Sequence, residues 1–219
     1  MREDACVQTP SLFAFEGVSV ESMHGTILNN ITLDIPATGI TAIVGPSGSG
    51  KSTLLRVCNR LVAPTRGTVR FRGEDLAKLD PLKLRRRVGM VFQKPTHFPG
   101  TVLENLRVAD PRITDDAAAR ALEAVQLDPA LLDRPAHELS GGESQRMCLA
   151  RTLVTNPEVV LMDEPTSALD ATARTTIEDL TCALVENGTP VILVSHDTDQ
   201  VQRLASRVIT LDRGMVVTP

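Results

Sequence analysis

The chain has 219 residues, 42% hydrophobic and 23% charged, the composition of a folded globular protein long enough to bury a substantial core as one domain, or one domain with an inserted lobe. A net charge of −4 with interspersed signs argues against a nucleic-acid binder built on a basic surface, and five Phe with neither Trp nor Tyr leave no platform for base stacking. No apolar run approaches the ~20 residues that cross a bilayer, so a membrane process served by this protein needs another chain to do the spanning.

Residues 1–11 are polar and read as a flexible tail. Residues 12–20 and 27–35 are candidate strands; the second alternates Ile27, Asn29, Ile31, Leu33 and Ile35. A turn at 36–39 leads into the unbroken apolar run 40–44, expected to be a buried strand. Residues 68–73 are strand-like, and Arg85-Arg86-Arg87 reads as a solvated entry to a strand at 88–92. Composition then turns Pro-rich and irregular over 94–100, and 115–126 carries Ala118, Ala121, Leu122 and Val125 at helical spacing, with Thr114 or Asp115 as its cap. Residues 94–142 are therefore expected to form a helical subdomain inserted into a domain of residues 12–219.

Residues 140–155 read as a helix opened by a capping box, Ser140 with Glu143. Residues 159–162 and 191–194 are short apolar strands, and 171–186 is a helix closed by Asn187-Gly188. A helix at 199–205 precedes a hairpin of 208–211 and 215–217 around Arg213-Gly214. Apolar strands alternating with helices predict an α/β fold, a mostly parallel sheet flanked by helices, with an antiparallel β part at the N-terminus. Cys6, Cys58, Cys148 and Cys182 are scattered without metal-ligand spacing, which suits a reduced compartment; Cys58 and Cys148 read as core filler. Met1-Arg2-Glu3-Asp4 leads into no apolar stretch, so no signal peptide is expected.

The stretch that organises the chain is Gly45-Pro46-Ser47-Gly48-Ser49-Gly50-Lys51-Ser52-Thr53, between the strand at 40–44 and a helix beginning near Lys51. Strand, glycine-rich loop, Lys-Ser and helix is the full context of a P-loop. Its glycines let backbone N–H groups turn toward phosphates, and the helix start adds a positive dipole end. Lys51 is expected to reach the β- and γ-phosphates, and Ser52 to hold Mg²⁺. The strand at 159–162 delivers Asp163-Glu164. Asp163 suits Mg²⁺ and Glu164 suits a general base; the plain alternative is a solvated acidic pair. Gly45, Gln93, Asp163 and His196 each follow an apolar strand, where ligands of parallel sheets sit. Leu139-Ser140-Gly141-Gly142-Glu143-Ser144-Gln145-Arg146 is a second glycine-bearing helix start, able to hold an anion, and by itself equally a well-capped helix.

Six stretches in this order resemble the ABC transporter ATPase family over nearly the whole chain: the Gly45 loop, Gln93 in Val91-Phe92-Gln93, the Ser140 stretch as the signature, Asp163-Glu164, Ser167-Ala168-Leu169-Asp170, and His196. The resemblance implies an ATP-hydrolysing subunit, with ATP and Mg²⁺, at the cytoplasmic face of the cell membrane. It would power transport through separate transmembrane permease subunits, without nucleic acid. It implies head-to-tail pairing with a second ATPase subunit, identical or homologous, each ATP lying between one P-loop and the partner's signature. Ser140, Gly141 and Gly142 would close on the γ-phosphate, Asp170 would lie at the seam, and Gln93 would contact Mg²⁺ and sense the membrane subunit. Lys51, Glu164 and His196 form the expected catalytic set, Ser52, Gln93 and Asp163 the metal set. The nucleotide contacts are Gly45 to Thr53, Gln93, Ser140 to Glu143, and Asp170.

Two positions depart from the family pattern. Glu143 stands where Gln is usual, and its carboxylate is expected to fold back onto the Ser140 N–H. The loop at 21–25, which usually carries an adenine-stacking aromatic, offers Met23 and His24. The rival readings are a soluble ATPase of the same family acting on nucleic acid or ribosomes, and a small P-loop kinase, which leaves Ser140-Gly141-Gly142 without a purpose.

Overall fold

The computed structural model describes residues 11–217; Cys6 and residues 1–10, the greater part of the expected tail, lie outside the described residues. Strands β1 (Ser11–Ser22) and β2 (Gly25–Pro36) pair antiparallel, and with β4 (Arg66–Phe71) and β5 (Glu74–Asp75) make a four-stranded sheet of order β2-β1-β4-β5. The second sheet has the order β10-β9-β3-β8-β7-β6. Its members are β3 (Ile40–Val44), β6 (Val88–Val91), β7 (Val159–Asp163), β8 (Val191–Val194), β9 (Arg207–Asp212) and β10 (Met215–Val217), parallel throughout except for the β9–β10 hairpin.

The apolar runs are strands because both of their faces are covered. In β7, Val159 and Leu161 face one core with Ile192 and Val194 of β8; Val160 and Met162 face another with Val191 and Leu193. The first core is closed by the antiparallel sheet, through Phe13, Phe15 and Phe71, and by Leu54 and Leu55 of α1 (Lys51–Cys58). The second is closed by α3 (Val102–Ala109), α4 (Asp115–Glu123), α5 (Gly141–Leu153) and α6 (Ala171–Glu186). Thr114 Oγ1 accepts from Ala117 N, the cap that the sequence offered as one of two. Cys58 and Cys148 are buried, and desolvation pushes both thiols above their ordinary pKa range.

Arg85-Arg86-Arg87 leads into β6 as expected, with Arg85 and Arg86 exposed. These residues end a helix, α2 (Pro81–Arg87), whose N-cap Asp80 accepts from Leu82 N and Lys83 N and whose first residue is proline. Two of the three arginines are structural. Arg85 donates to the carbonyls of Asn59 and Arg60. Arg87 meets Glu158 at 2.6 Å and Glu74 at 3.2 Å and stacks over the Phe71 ring at 4.9 Å, joining the two sheets. Within 94–142 the structure adds α3, opened by a second capping box of Thr101 and Glu104. The last helix, α7 (Thr198–Leu204), lies between β8 and β9.

Candidate functional site

The Gly45–Gly50 loop leaves the C-terminal end of β3, a central strand. At Gly45, φ is +142° and a Cβ would lie 2.0 Å from the Leu211 carbonyl oxygen, so the loop can run there only on glycine. Gly50, with φ +100°, precedes α1 without a side-chain cap, which leaves the first amides of α1 open to an anion. Ser47, Gly48, Gly50, Lys51, Ser52 and Thr53 line a cleft of about 290 Å³ with Ile27 and Glu164. Lys51 is buried, its Nζ donating at 2.8 Å to the carbonyls of both Gly45 and Pro46. The hydroxyl of Ser52 donates to Asp163 Oδ1 at 2.7 Å, and Arg56 Nη2 lies 3.4 Å from Asp163 Oδ2. The buried Asp163 carboxylate at the end of β7 thus has a hydroxyl on one oxygen and a cation on the other.

Glu164 follows in a left-handed conformation, φ +46°, uncommon for a residue with a Cβ. It is held there from both sides: its N–H donates to Val194 O at 3.0 Å, and its carbonyl accepts from Ser167 N and Ser167 Oγ. This turn aims the side chain across the strand ends. Glu164 Oε2 accepts from Gln93 Nε2 at 3.2 Å and lies 3.2 Å from His196 Nδ1. Residues following β6, β7 and β8 therefore converge on one carboxylate, beside the cleft of the glycine-rich loop. Gln93 also donates to Ser167 Oγ at 3.2 Å; it sits on Glu164 and Ser167, and its recorded bonds include none to the Ser52–Asp163 pair.

The second helix start lies apart. Ser140 to Glu143 line a separate cleft of about 500 Å³ with Arg146 and the 168–173 segment, which includes Asp170. The two clefts share no lining residue. Both halves of the capping box are formed: Ser140 N donates to Glu143 Oε2 at 2.8 Å, and Glu143 N to Ser140 Oγ at 3.3 Å. The backbone N–H of Ser140, then its side chain, hold the Glu143 carboxyl below its ordinary pKa. Asp170 caps α6, accepting from Ala173 N at 2.8 Å.

The family model described as ABC transporter matches residues 28–167, more than half of the chain. Protein STAR1 of Oryza sativa subsp. japonica is 46% identical over 202 residues, covering 90% of this chain and 58% of that protein. Phosphate import ATP-binding protein PstB 2 of Synechococcus sp. (strain JA-3-3Ab) is 39% identical over 221 residues, covering 94% of this chain and 83% of that protein. The chain belongs to the ABC transporter ATP-binding family. Among solved structures, the dimeric post-hydrolysis state of the ATP-binding cassette MJ0796, bound to ADP and Pi, superposes with a TM-score of 0.84 at 32% identity, covering 94% of this chain and 97% of that one. As a member of the ABC family the chain is an ATP-binding subunit and an ATPase whose hydrolysis is coupled to transport. The α/β fold expected of the ABC cassette is the fold observed, a mostly parallel helix-flanked sheet with an antiparallel sheet from the N-terminus.

Three residues bonded to or beside this constellation carried no role in the sequence reading. Ser167 bridges Gln93 and the Glu164 carbonyl; its place in the Ser167–Asp170 stretch was the available signal. Arg56, one turn beyond Ser52 on α1, faces Asp163. Gln145 Nε2 donates to the Phe92 carbonyl, tying α5 to the residue before Gln93. The loop at 21–25 presents Met23 almost wholly to solvent.

Proposed function

We propose that two such ATPase subunits pair head to tail and that each ATP is held between the Gly45 loop of one and the Ser140 helix start of the other. The observation that carries this reading is that the two anion-ready helix starts of a single chain open into clefts with no residue in common. One chain supplies half of two sites, and a second copy or close homologue supplies the rest. The dimeric form of the MJ0796 cassette agrees with it. Lys51 exchanges its bonds to Gly45 O and Pro46 O for β- and γ-phosphate oxygens, which keeps its charge satisfied in both states. Ser140 Oγ accepts from Glu143 N and keeps its proton to donate, so Ser140, Gly141 and Gly142 close on the γ-phosphate while Glu143, engaged with Ser140 N, keeps its charge on its own helix start. Asp170, beside the Ser140 stretch, sits at the seam.

The donor set fits Mg²⁺: a hydroxyl and a buried carboxylate are hard oxygen ligands, and Ser52 and Asp163 already stand 2.7 Å apart. Mg²⁺ bound there neutralises charge on the transferring phosphate. Glu164 orients the attacking water and takes its proton. Gln93 and His196, bonded to the Glu164 carboxylate in this state, hold it in place, and His196 turns to the γ-phosphate when nucleotide enters.

Among the described residues no helix is long and apolar enough to cross a membrane. We assign the spanning to separate permease subunits, which places this chain at the cytoplasmic membrane face. Their docking surface is Gln93 with the irregular segment of residues 94–106, at the edge of the helical subdomain of residues 94–142, where Phe98 and, just before Gln93, Phe92 are exposed. Likeness to the phosphate import protein supports inward transport. The test is Glu164→Gln, which should bind ATP, hydrolyse it slowly and accumulate as an ATP-bound dimer on size exclusion. A variant that turns over at the normal rate removes Glu164 from the role, and an ATP-loaded chain that stays monomeric removes the shared site.

A further inference from the structure

Gln200 is almost completely buried, 1% exposed, and uses its whole amide. Its Oε1 accepts from Ser195 Oγ at 2.7 Å; its Nε2 donates to Thr166 Oγ1 and to Glu178 Oε1, both at 3.0 Å. These partners come from three segments. Ser195 immediately precedes His196, and its hydroxyl also accepts from Asp197 N at 3.1 Å, so one oxygen pins the chain on both sides of the histidine. Thr166 lies two residues beyond Glu164, in the turn that holds Glu164 at positive φ. Glu178 of α6 is fixed in turn by two bonds from Arg203 of α7. Asp197 Oδ1 accepts from Gln200 N, and Asp197 Oδ2 meets Arg174 of α6 at 3.0 Å.

We propose that Gln200 is a positioning residue for ATP hydrolysis: its buried amide locks the segment carrying His196 against the segment carrying Glu164. The proposal rests on the roles given above to those two residues. The alternative, that Gln200 only fills and stabilises the α6–α7 junction, makes a different prediction. A structural residue lowers stability, whereas a positioning residue lowers kcat through His196 and Glu164 and leaves nucleotide affinity alone, because the hydrogen bonds of the Gln200 network end on Ser195, Asp197, Thr166 and Glu178 and on no residue of the Gly45 loop. The amide spans two segments that must keep register while one of them, at Glu164, is held in an unfavourable conformation; a buried amide whose oxygen and both N–H groups are all engaged is suited to that.

The experiment measures steady-state ATP hydrolysis and ATP binding for the full chain carrying Gln200→Ala, Ser195→Ala or Thr166→Val, and for Gln200→Ala combined with His196→Ala. The expected result is a loss of kcat of about tenfold for Gln200→Ala, smaller losses for the two single-link variants, and KM for ATP within about twofold of the parent. In the His196→Ala background, Gln200→Ala should cost no more than about twofold further, since what the amide fixes is the register of His196 against Glu164 and one member of that pair is gone. Ser195→Ala and Thr166→Val, each removing one hydrogen bond, decide the matter if Gln200→Ala does not fold. Unchanged kcat in the folded variants, or an equal loss with and without His196, overturns the proposal. If Glu164→Gln and His196→Ala themselves turn over at full rate, the underlying assignment falls and this one with it; if they are impaired and the Gln200 network variants are not, this one falls alone.

Discussion

Replacing Glu143 by Gln tests the electrostatics of the Ser140 helix start. The side chain keeps its shape, and an amide oxygen can still accept from Ser140 N, so what is lost is the negative charge at the third position of α5. An anion in the first turn of a helix contributes about 0.3–1 kcal/mol at low ionic strength, and the partly solvated setting of Glu143 favours the lower end. For a chain of this length, that is a fall in Tm of about 1–4 °C at neutral pH. The sign of the pH dependence follows from the depressed carboxyl pKa, caused first by the Ser140 N–H. The stabilisation is fully present above the ordinary glutamate pKa and is lost as pH falls through the lower native value. The difference in Tm between parent and Glu143→Gln should therefore be positive at pH 7 and shrink on acidification. Scanning calorimetry in low-salt buffers from pH 7 to the acid limit of the native state measures it. A difference that is constant with pH, or that widens toward acid, refutes the fold-back geometry.

Lys51→Ala should lose most of its affinity for ATP in a filter-binding or calorimetric titration; unchanged binding counts against the phosphate position given to Lys51. Asn105→Ala should destabilise by about 2–3 kcal/mol, because the fully buried amide holds both Phe98 N and Phe98 O, which would be left unpaired. Hydrogen exchange at the Phe98 amide should accelerate well beyond the global change, and uniform acceleration would show that Asn105 has no special hold on the segment after Gln93. Cys58 should resist alkylation in native protein at pH 8 and react on unfolding, since burial raises its thiol pKa and closes access; native labelling at Cys58 would mean that α1 opens readily.

What could be read from the sequence was what is set locally. Strands β7 and β8 are apolar on both faces, so periodicity and burial agree, and α6 is bounded by Asp170 and Asn187-Gly188, where it starts and stops. Helix α2 was missed although Asp80-Pro81 announces it, because three arginines in seven residues outweighed the cap; two of them, Arg87 and Arg85, are met by Glu158 and Glu74 and by two carbonyls that are distant in sequence. Helix α3 is eight residues long, too short for its apolar spacing to stand out, and only its capping box marked it.

The site divides in the same way. Each residue that sits at the end of its own strand could be located there from that strand alone. The bonds between strand ends could not: Gln93 to Glu164 spans 71 positions, and Gln200 to Thr166 spans 34. The scarce aromatics show why composition stops short of function. Phe13, Phe15 and Phe71 are buried in the first core, while Phe92 and Phe98 flank Gln93 and its following loop with more than two fifths of their surface exposed. Arg151 lies 5.0 Å from the Phe98 ring, and Asn105 fixes the Phe98 backbone. A large apolar side chain fixed in position but left exposed loses the entropy of ordering without the gain of burial. That balance favours a second protein surface at this segment, and it links the proposed permease contact to Glu164 through the amide of one intervening residue, Gln93.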